Sequence, residues 1–372
     1  FGFFIGYLII AHVLLPLYYR LNLTSIYTYL GDRIGRHAYK TGASFFLLSK
    51  IIGAAARLYL VCLILQHYVF DAFHIPFAAT VIGIVLLIWL YTRRSGIRTI
   101  VWTDSLQTLC LLLALGLILY EVSGQLDLDF PGLVHAIREN EHSRIFVFDD
   151  WHSKQNFFKQ FFSGIFITIV MTGLDQDMMQ RNLSCRSPRD AKVNILVTAV
   201  CQAAVIFLFL VLGVLLYIYM DRNGIAVPER SDEVFARVAV QSGLPLAVGV
   251  LFVVGLISST YSAAGSALTA LTTSFTVDVI DGPQRFGERR LTRVRRGVHA
   301  GMAALMGGVI LLFGYFADDS VINLVYKVAS YTYGPILGMF LFGMLTRRQV
   351  RDRWVPLAAL AAPVLSALMQ HF

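Results

Sequence analysis

Hydroxyl side chains repeat along one apolar segment of the sequence, Leu244–Val279. Spacings of three and four residues place six of them on one face of a helix. These are Ser259, Ser262, Ser266, Thr269, Thr273 and Thr276. In a membrane a hydroxyl needs a hydrogen-bonding partner, because no water is available there. Either close packing of helices or a polar path for something that crosses the membrane therefore explains this row.

The hydroxyl row has the chemistry of a site for a hard cation. Na⁺, like Mg²⁺ and Ca²⁺, prefers oxygen ligands, which hydroxyls and freed backbone carbonyls can supply. Ser259 and Ser262 lie one helical turn apart near the middle of the segment. They are the candidate sodium ligands, and tight packing of small residues is the alternative.

Four charged residues lie inside apolar segments, where an unpaired charge is costly. Arg57, about 16 residues into its segment, can anchor a substrate carboxylate or pair with a buried acid. Lys50, seven residues earlier on the same face, and Lys327 can reach a membrane surface with their ammonium groups. Asp104, early in its helix, can serve a cation site or be favoured by the helix dipole.

A polar interruption occurs within the apolar run at 157–180. It consists of Thr172, Gly173, Asp175, Gln176 and Asp177. Glycine and weak helix formers at this depth predict a discontinuous helix. Broken helices expose backbone groups, with which transporters bind ions and solutes near the membrane midplane. The alternative is a helix that ends near Gly173 and continues as a cytoplasmic loop.

The composition defines the elements that position these residues. Of 372 residues, 57% are hydrophobic and 15% charged, and the mean hydropathy is +0.66. A soluble domain could not cover so much apolar surface, so we predict an all-α polytopic membrane protein. About ten apolar runs are long enough to span the bilayer: 2–19, 41–66, 75–92, 99–120, 157–180, 193–220, 244–275, 297–316, 320–345 and 354–371.

The net charge of +8 is a topology signal rather than a nucleic-acid footprint. Alternate loops, beginning with the one after the first run, carry 4, 3, 4, 6 and 4 Lys and Arg residues, whereas the intervening loops carry 0, 3, 3 and 0. By the positive-inside rule, the basic loops are cytoplasmic and both ends of the chain are outside. The predicted partners are therefore a lipid bilayer and small solutes, with no nucleic acid.

Catalytic signatures do not stand out in the sequence. The four cysteines lie in or beside apolar runs without metal-ligand spacing, and we interpret them as packing residues. We find no nucleophile elbow, phosphate loop or zinc spacing. An enzyme is therefore disfavoured.

Four stretches of the chain carry a family resemblance in a consistent order. They are Val101–Gln107, Gly173–Lys192 with its Asp-Gln…Gln-Arg-Asn-Leu-Ser core, Ser259–Asp278 and Tyr333–Arg348. Together they resemble the sodium/solute symporter family, whose members share the LeuT-like inverted-repeat fold. The resemblance implies one transmembrane domain over 1–372, with core helices two to ten within about 1–345 and a further helix at about 354–371. The first core helix would precede Phe1, so we expect an N-terminally truncated chain.

The resemblance also implies roles for residues of the hydroxyl row. Counting back from Asp278, Ser259 takes the position of a carbonyl donor to sodium and Ser262 that of a hydroxyl ligand. The next family position is often a second hydroxyl, but here it is Ala263. Asp104 matches an acidic residue near the sodium route.

The implied substrate site combines the interrupted run with Arg57. Its substrate-facing stretch maps to Thr168, Met171 and Thr172, where some sugar carriers have polar and aromatic residues, which weakens a hexose interpretation. Arg57 would face the same site and suits an acidic solute such as a sialic acid or another carboxylate. Structural or gating positions follow at Gly173, Asp175, Gln176, Gln180 and Arg181.

These observations predict sodium-coupled symport of a small organic solute across a bacterial-type inner membrane by alternating access. The alternative is a membrane solute sensor or receptor that keeps the same fold but does not transport.

Overall fold

The computed structural model describes most of the chain. The described residues are 1–21, 25–94, 97–153, 155–183, 185–228, 233–241, 245–316 and 321–371. Within helices, side chains are described except at 94–104, 180, 240–241, 246, 259–260, 316, 321–327 and 370–371.

Helices make up most of the described chain, which contains no strand. In chain order they are α1 (Gly2–Leu21), α2 (Thr28–Arg33), α3 (Arg36–Phe73), α4 (Phe77–Arg94), α5 (Ile97–Gln125), α6 (Phe130–Glu139), α7 (Phe157–Gly173), α8 (Gln176–Leu183), α9 (Pro188–Arg222), α10 (Val234–Gln241), α11 (Leu246–Ser274), α12 (Gly282–Arg285), α13 (Glu288–Phe316), α14 (Val321–Leu345) and α15 (Val355–His371). A π-helical turn, Phe275–Val279, extends α11.

The described helices confirm an all-α polytopic membrane protein. Eight of them are long and apolar enough to cross a bilayer, and α7 with α8 counts as a ninth if the bent pair is one span. The predicted run at 75–92 forms α4, whose apolar part, Phe77–Arg93, is shorter than the others. Nine of the ten predicted runs therefore coincide with one helix each, and the run at 157–180 coincides with the bent pair α7 and α8.

The predicted discontinuous helix is confirmed at the junction of α7 and α8, where the chain bends by 67°. Asp175 begins the second helix, because its Oδ1 accepts hydrogen bonds from the backbone N–H groups of Asp177 (3.0 Å) and Met178 (3.2 Å). A side chain that satisfies the free N–H groups of a first turn is the usual start signal of a helix. The polar residues at this point thus restart the helix in a new direction.

Two tyrosines satisfy the carbonyl groups that the break exposes. The Tyr18 hydroxyl donates to the Gly173 carbonyl and the Tyr27 hydroxyl donates to the Leu174 carbonyl, both at 2.9 Å. Both tyrosines are fully buried. Because an unpaired carbonyl costs several kcal/mol in hydrocarbon, these bonds allow irregular backbone at membrane depth.

Helices α3 and α11 form the centre of the assembly. Helix α11 packs along α5 and α3, and α14 packs along α3. The apolar core is divided into three clusters, each of which includes buried residues of α3. This packing brings together the polar face of α3, the polar face of α11 and the break between α7 and α8 around one cavity.

Candidate functional site

A central cavity of about 310 Å³ lies where α3, α5, α11, α14 and the α7–α8 break converge. Its polar and charged lining residues are Ser49, Lys50, Arg57, Gln107, Thr108, Asp175, Asp177, Arg181, Ser262, Ser266 and Tyr333. The described lining carries three cationic and two acidic side chains, an unusual concentration of charge for the interior of a membrane protein.

Lys50 and two aspartates form a buried ion cluster at this cavity. The Lys50 Nζ atom lies 3.1 Å from both oxygens of Asp175 and 3.2 Å from Oδ2 of Asp177. The side chains of Lys50 and Asp175 are only 12% and 3% exposed. Lys50 therefore uses its charge inside the protein instead of extending it to a membrane surface.

Further hydrogen bonds surround the ion cluster. The Ser266 hydroxyl lies 3.0 Å and 2.9 Å from the two oxygens of Asp177, and Arg181 donates to the same hydroxyl. The Tyr333 hydroxyl donates to Oδ2 of Asp175 at 3.1 Å. Asp175 thereby contacts α3 and α14, and Asp177, on α8, contacts α3 and α11. The two carboxylates together link four elements around the cavity.

Arg57 lines the cavity without a counter-ion among the described residues. No described carboxylate lies within 4 Å of its guanidinium group, and no hydrogen bond from it to a described residue is present. Its side chain is exposed, whereas the flanking residues Ala56 and Leu58 are buried. Lys50 and Arg181 have carboxylate partners, so Arg57 leaves the described cavity with one uncompensated positive charge.

The hydroxyl row of α11 divides into two parts. Ser262 and Ser266 are buried and line the cavity. Further along the helix, Thr269 donates to the carbonyl of Gly265 at 2.9 Å and Thr276 to that of Thr272 at 2.7 Å. These threonines satisfy their hydroxyls within their own helix and are not part of the cavity lining.

The residues expected to face the substrate lie in different surroundings. Met171 lines the cavity. Thr168 is buried, donates to the Gly164 carbonyl at 2.8 Å and lies against Gly6 of α1. Thr172, half-buried, lies next to Met171 in the last turn of α7. The structure thus brings Met171 together with Arg57 and places Thr168 at the contact between α1 and α7.

The positions expected to act in structure or gating surround the break. Gly173 packs against α1, where a Cβ atom would lie 2.5 Å from Leu14 Cδ1. The Gln176 Oε1 atom accepts a hydrogen bond from the Ile26 backbone N–H at 2.8 Å. With Asp175 and Arg181 in the ion cluster, these residues link the break to α1 and to the segment that follows it.

Three predicted site residues have side chains outside the described part of the chain. They are Asp104 in α5, Gln180 in α8 and Ser259 in α11. Their assignments remain sequence-based predictions.

Four residues that line the cavity were not predicted as site residues from the sequence. These are Lys50, Asp177, Ser266 and Tyr333. One signal was present for Lys50, whose seven-residue spacing from Arg57 places both on one face of α3. A second was the two-residue spacing of Asp175 and Asp177 at a break, but their common partner lies about 125 residues earlier in the chain.

Comparison with known proteins accords with this architecture. The model of the sodium:solute symporter family matches residues 1–352. This chain belongs to the sodium:solute symporter family. Among solved structures, a substrate-bound, outward-open Na⁺-coupled sialic acid symporter superimposes with a TM-score of 0.78 at 17% identity, covering 98% of this chain and 82% of the other. At that identity the likeness shows the shared LeuT-like fold.

Two relatives in this symporter family illustrate its range. The sodium-dependent multivitamin transporter of Oryctolagus cuniculus is 27% identical over 351 residues, covering 92% of this chain and 54% of the relative. The sodium/sialic acid symporter NanT of Aliivibrio fischeri is 25% identical over 343 residues, covering 90% and 66%. The chain spans roughly half to two-thirds of the length of these relatives.

Proposed function

We propose that this protein is a sodium-coupled symporter of a small organic acid in a bacterial-type inner membrane, working by alternating access. The observation that carries the proposal is the uncompensated charge of Arg57 in the central cavity. The guanidinium group is a planar donor that matches a carboxylate in a bidentate pair. A solute with one carboxylate would neutralise the excess charge of the described lining.

The charge distribution along α3 supports Arg57 rather than Lys50 as the anchor. Asp175 and Asp177 already neutralise Lys50, so a substrate carboxylate placed there would meet two negative charges. Arg57 lies two helical turns away, on the same face. Met171, also in the lining, offers an apolar surface for the remainder of the solute.

Sodium would be the coupling ion, transported together with the solute. Ser262 supplies a hydroxyl at the cavity wall, and we propose Ser259 and Asp104 as further oxygen donors. Ala263, the next residue, also lines the cavity but has no side-chain oxygen to offer. The sodium/sialic acid symporter relative supports a solute that carries a carboxylate, because sialic acids carry one. Sialic acids are therefore the first solutes to test.

Counterflow in proteoliposomes tests the proposal directly. Full-length protein containing this chain would be reconstituted, preloaded with unlabelled sialic acid or short carboxylates, and mixed with labelled solute outside. We expect sodium-dependent exchange, and replacing Na⁺ by K⁺ should abolish it. Binding of the solute without any exchange would instead identify a sensor built on the same fold.

A further inference from the structure

A second cavity lies between α4 and α13 and shares no lining residue with the central one. It is a groove of about 480 Å³ with an apolar lining. Ile82 and Leu86 on its α4 side are 60% and 49% exposed. Both helices are membrane spans or apolar segments of the fold, so whatever fills this groove must be compatible with hydrocarbon.

The length of the groove corresponds to one leaflet of a bilayer. Along α13 its lining extends from Ala300 to Leu311. At 1.5 Å per residue this stretch is about 17 Å long, roughly half of a hydrocarbon core that is about 30 Å thick. An extended acyl chain of a single leaflet therefore fits along it.

One end of the groove is strongly basic. Arg296 and Arg293 precede Ala300 by four and seven residues, which places them on the groove face, one and two turns beyond its end. Both are exposed, and no described carboxylate lies within 4 Å of either. They are available to bind an anion from outside the protein.

Helix α4 contributes a third cation at the same end. Arg93 follows the groove residue Trp89 by four positions, and its guanidinium carbon lies 5.3 Å from the indole ring centroid. Thr92 Oγ1 and His299 Nε2 are 3.1 Å apart, which joins this end of α4 to the basic end of α13. The stretch between the apolar runs 244–275 and 297–316, which includes the first turns of α13, has six Arg residues, more Lys and Arg than any other such stretch. This end therefore faces the cytoplasm by the positive-inside rule.

We propose that this groove binds an anionic phospholipid of the cytoplasmic leaflet. One acyl chain would lie between α4 and α13, and the phosphate would contact Arg93, Arg293 and Arg296. Apolar walls that end in clustered cations at headgroup depth are the features that recognise such lipids. A helix of a second protein copy would fill the apolar walls but would leave these three guanidinium groups without anions.

Lipid titration of delipidated full-length protein, followed by native mass spectrometry, tests the proposal. Phosphatidylglycerol and phosphatidylcholine with identical acyl chains are the probes, and we expect preferential binding of phosphatidylglycerol. Arg296→Gln should weaken phosphatidylglycerol binding about fivefold, the effect of one basic residue near a membrane surface. Arg295→Gln is the matched control, because it removes the same charge one position away on a different face of the helix.

Two further measurements separate the alternative occupants. A Cβ atom at Gly308 would meet no described atom within 4 Å. Gly308→Leu should therefore fill the groove and weaken binding of phosphatidylglycerol. In a separate competition measurement, inorganic phosphate should not displace phosphatidylglycerol from the unmodified protein. Equal binding of both lipids, or equal losses for Arg295→Gln and Arg296→Gln, would overturn the proposal. A Gly308→Leu protein that changes its oligomeric state but keeps its lipid affinity would show that a second copy occupies the groove.

Discussion

Lys50 and Asp175 connect the long helix α3 to the break between α7 and α8, because the Lys50 Nζ atom lies 3.1 Å from both oxygens of the Asp175 carboxylate. Asp175 also begins α8 through its hydrogen bonds to the first backbone N–H groups of that helix. One carboxylate thus fixes the direction of the broken helix and holds it against α3. A movement of α8 relative to α3 must separate this ion pair.

Removing Lys50 should destabilise the protein strongly. Lys50→Met leaves Asp175 buried without a cation, and breaking a buried pair from one side costs about 3–5 kcal/mol. We expect a lower midpoint in thermal unfolding of detergent-solubilised protein. Lys50→Met combined with Asp175→Asn should recover part of the loss, whereas Lys192→Met, outside the cavity, should have little effect. An unchanged midpoint for Lys50→Met would contradict a structural role for the pair.

Arg57→Ala should abolish binding of a carboxylate solute while sparing sodium binding. The substitution removes the cation that no described carboxylate neutralises, so the remaining described lining is electrically balanced. Isothermal titration with the solute found by counterflow measures the effect, and sodium titration of the same protein provides the control. Arg57→Lys should retain some affinity, because it keeps the charge but loses bidentate geometry. Full affinity in Arg57→Ala would exclude Arg57 from the site.

Ser262→Ala should raise the sodium concentration required for half-maximal uptake. We expect roughly a tenfold increase, equivalent to about 1.4 kcal/mol, if the hydroxyl is a sodium ligand. Thr269→Ala is the matched control on the same helix, because Thr269 satisfies its hydroxyl within its own helix. Equal sodium dependence in the Ser262→Ala and unmodified proteins would remove Ser262 from the sodium site.

Gly6→Ala should destabilise the contact between α1 and α7. A Cβ atom at position 6 would lie 2.5 Å from Thr168 Cβ and 3.0 Å from the Ile165 carbonyl oxygen, so the two helices would have to separate. Overpacking of this kind typically costs about 1–3 kcal/mol. Thermal unfolding measures the change, and Gly116→Ala, whose Cβ would meet no described atom within 4 Å, should be neutral or stabilising.

Asp281→Asn should reduce stability at neutral pH but not in acid. The hydrogen bond from Lys40, at 2.6 Å, and the nearby charges of Lys40 and Arg36 lower the pKa of the Asp281 carboxyl below its usual value. A lowered native pKa stabilises the fold above the unfolded pKa of about 3.9, and that contribution is lost as the pH falls through the native value. The difference between the two proteins should therefore be constant above about pH 5 and shrink below about pH 4. A difference that persists in acid would exclude the ion pair as its cause.

The sequence by itself determined the membrane class and the position of the apolar helices, and it indicated where a break could occur. These features depend on local composition: apolar runs must be helical in lipid, and Gly173 with Asp175 interrupts such a run within a few residues. The face that carries Ser262 and Ser266 was equally predictable, because helical periodicity fixes which side chains share a face.

Only the tertiary structure decided how the charged residues pair. Lys50 and Arg57 occupy the same face of α3, and nothing in their spacing shows that Lys50 meets Asp175 and Asp177 whereas Arg57 meets no described acid. The same holds for Ser266, which resembles its packing neighbours in sequence but contacts Asp177 on α8. These pairings depend on the rotation and approach of helices distant in sequence, and local propensity and periodicity do not encode either.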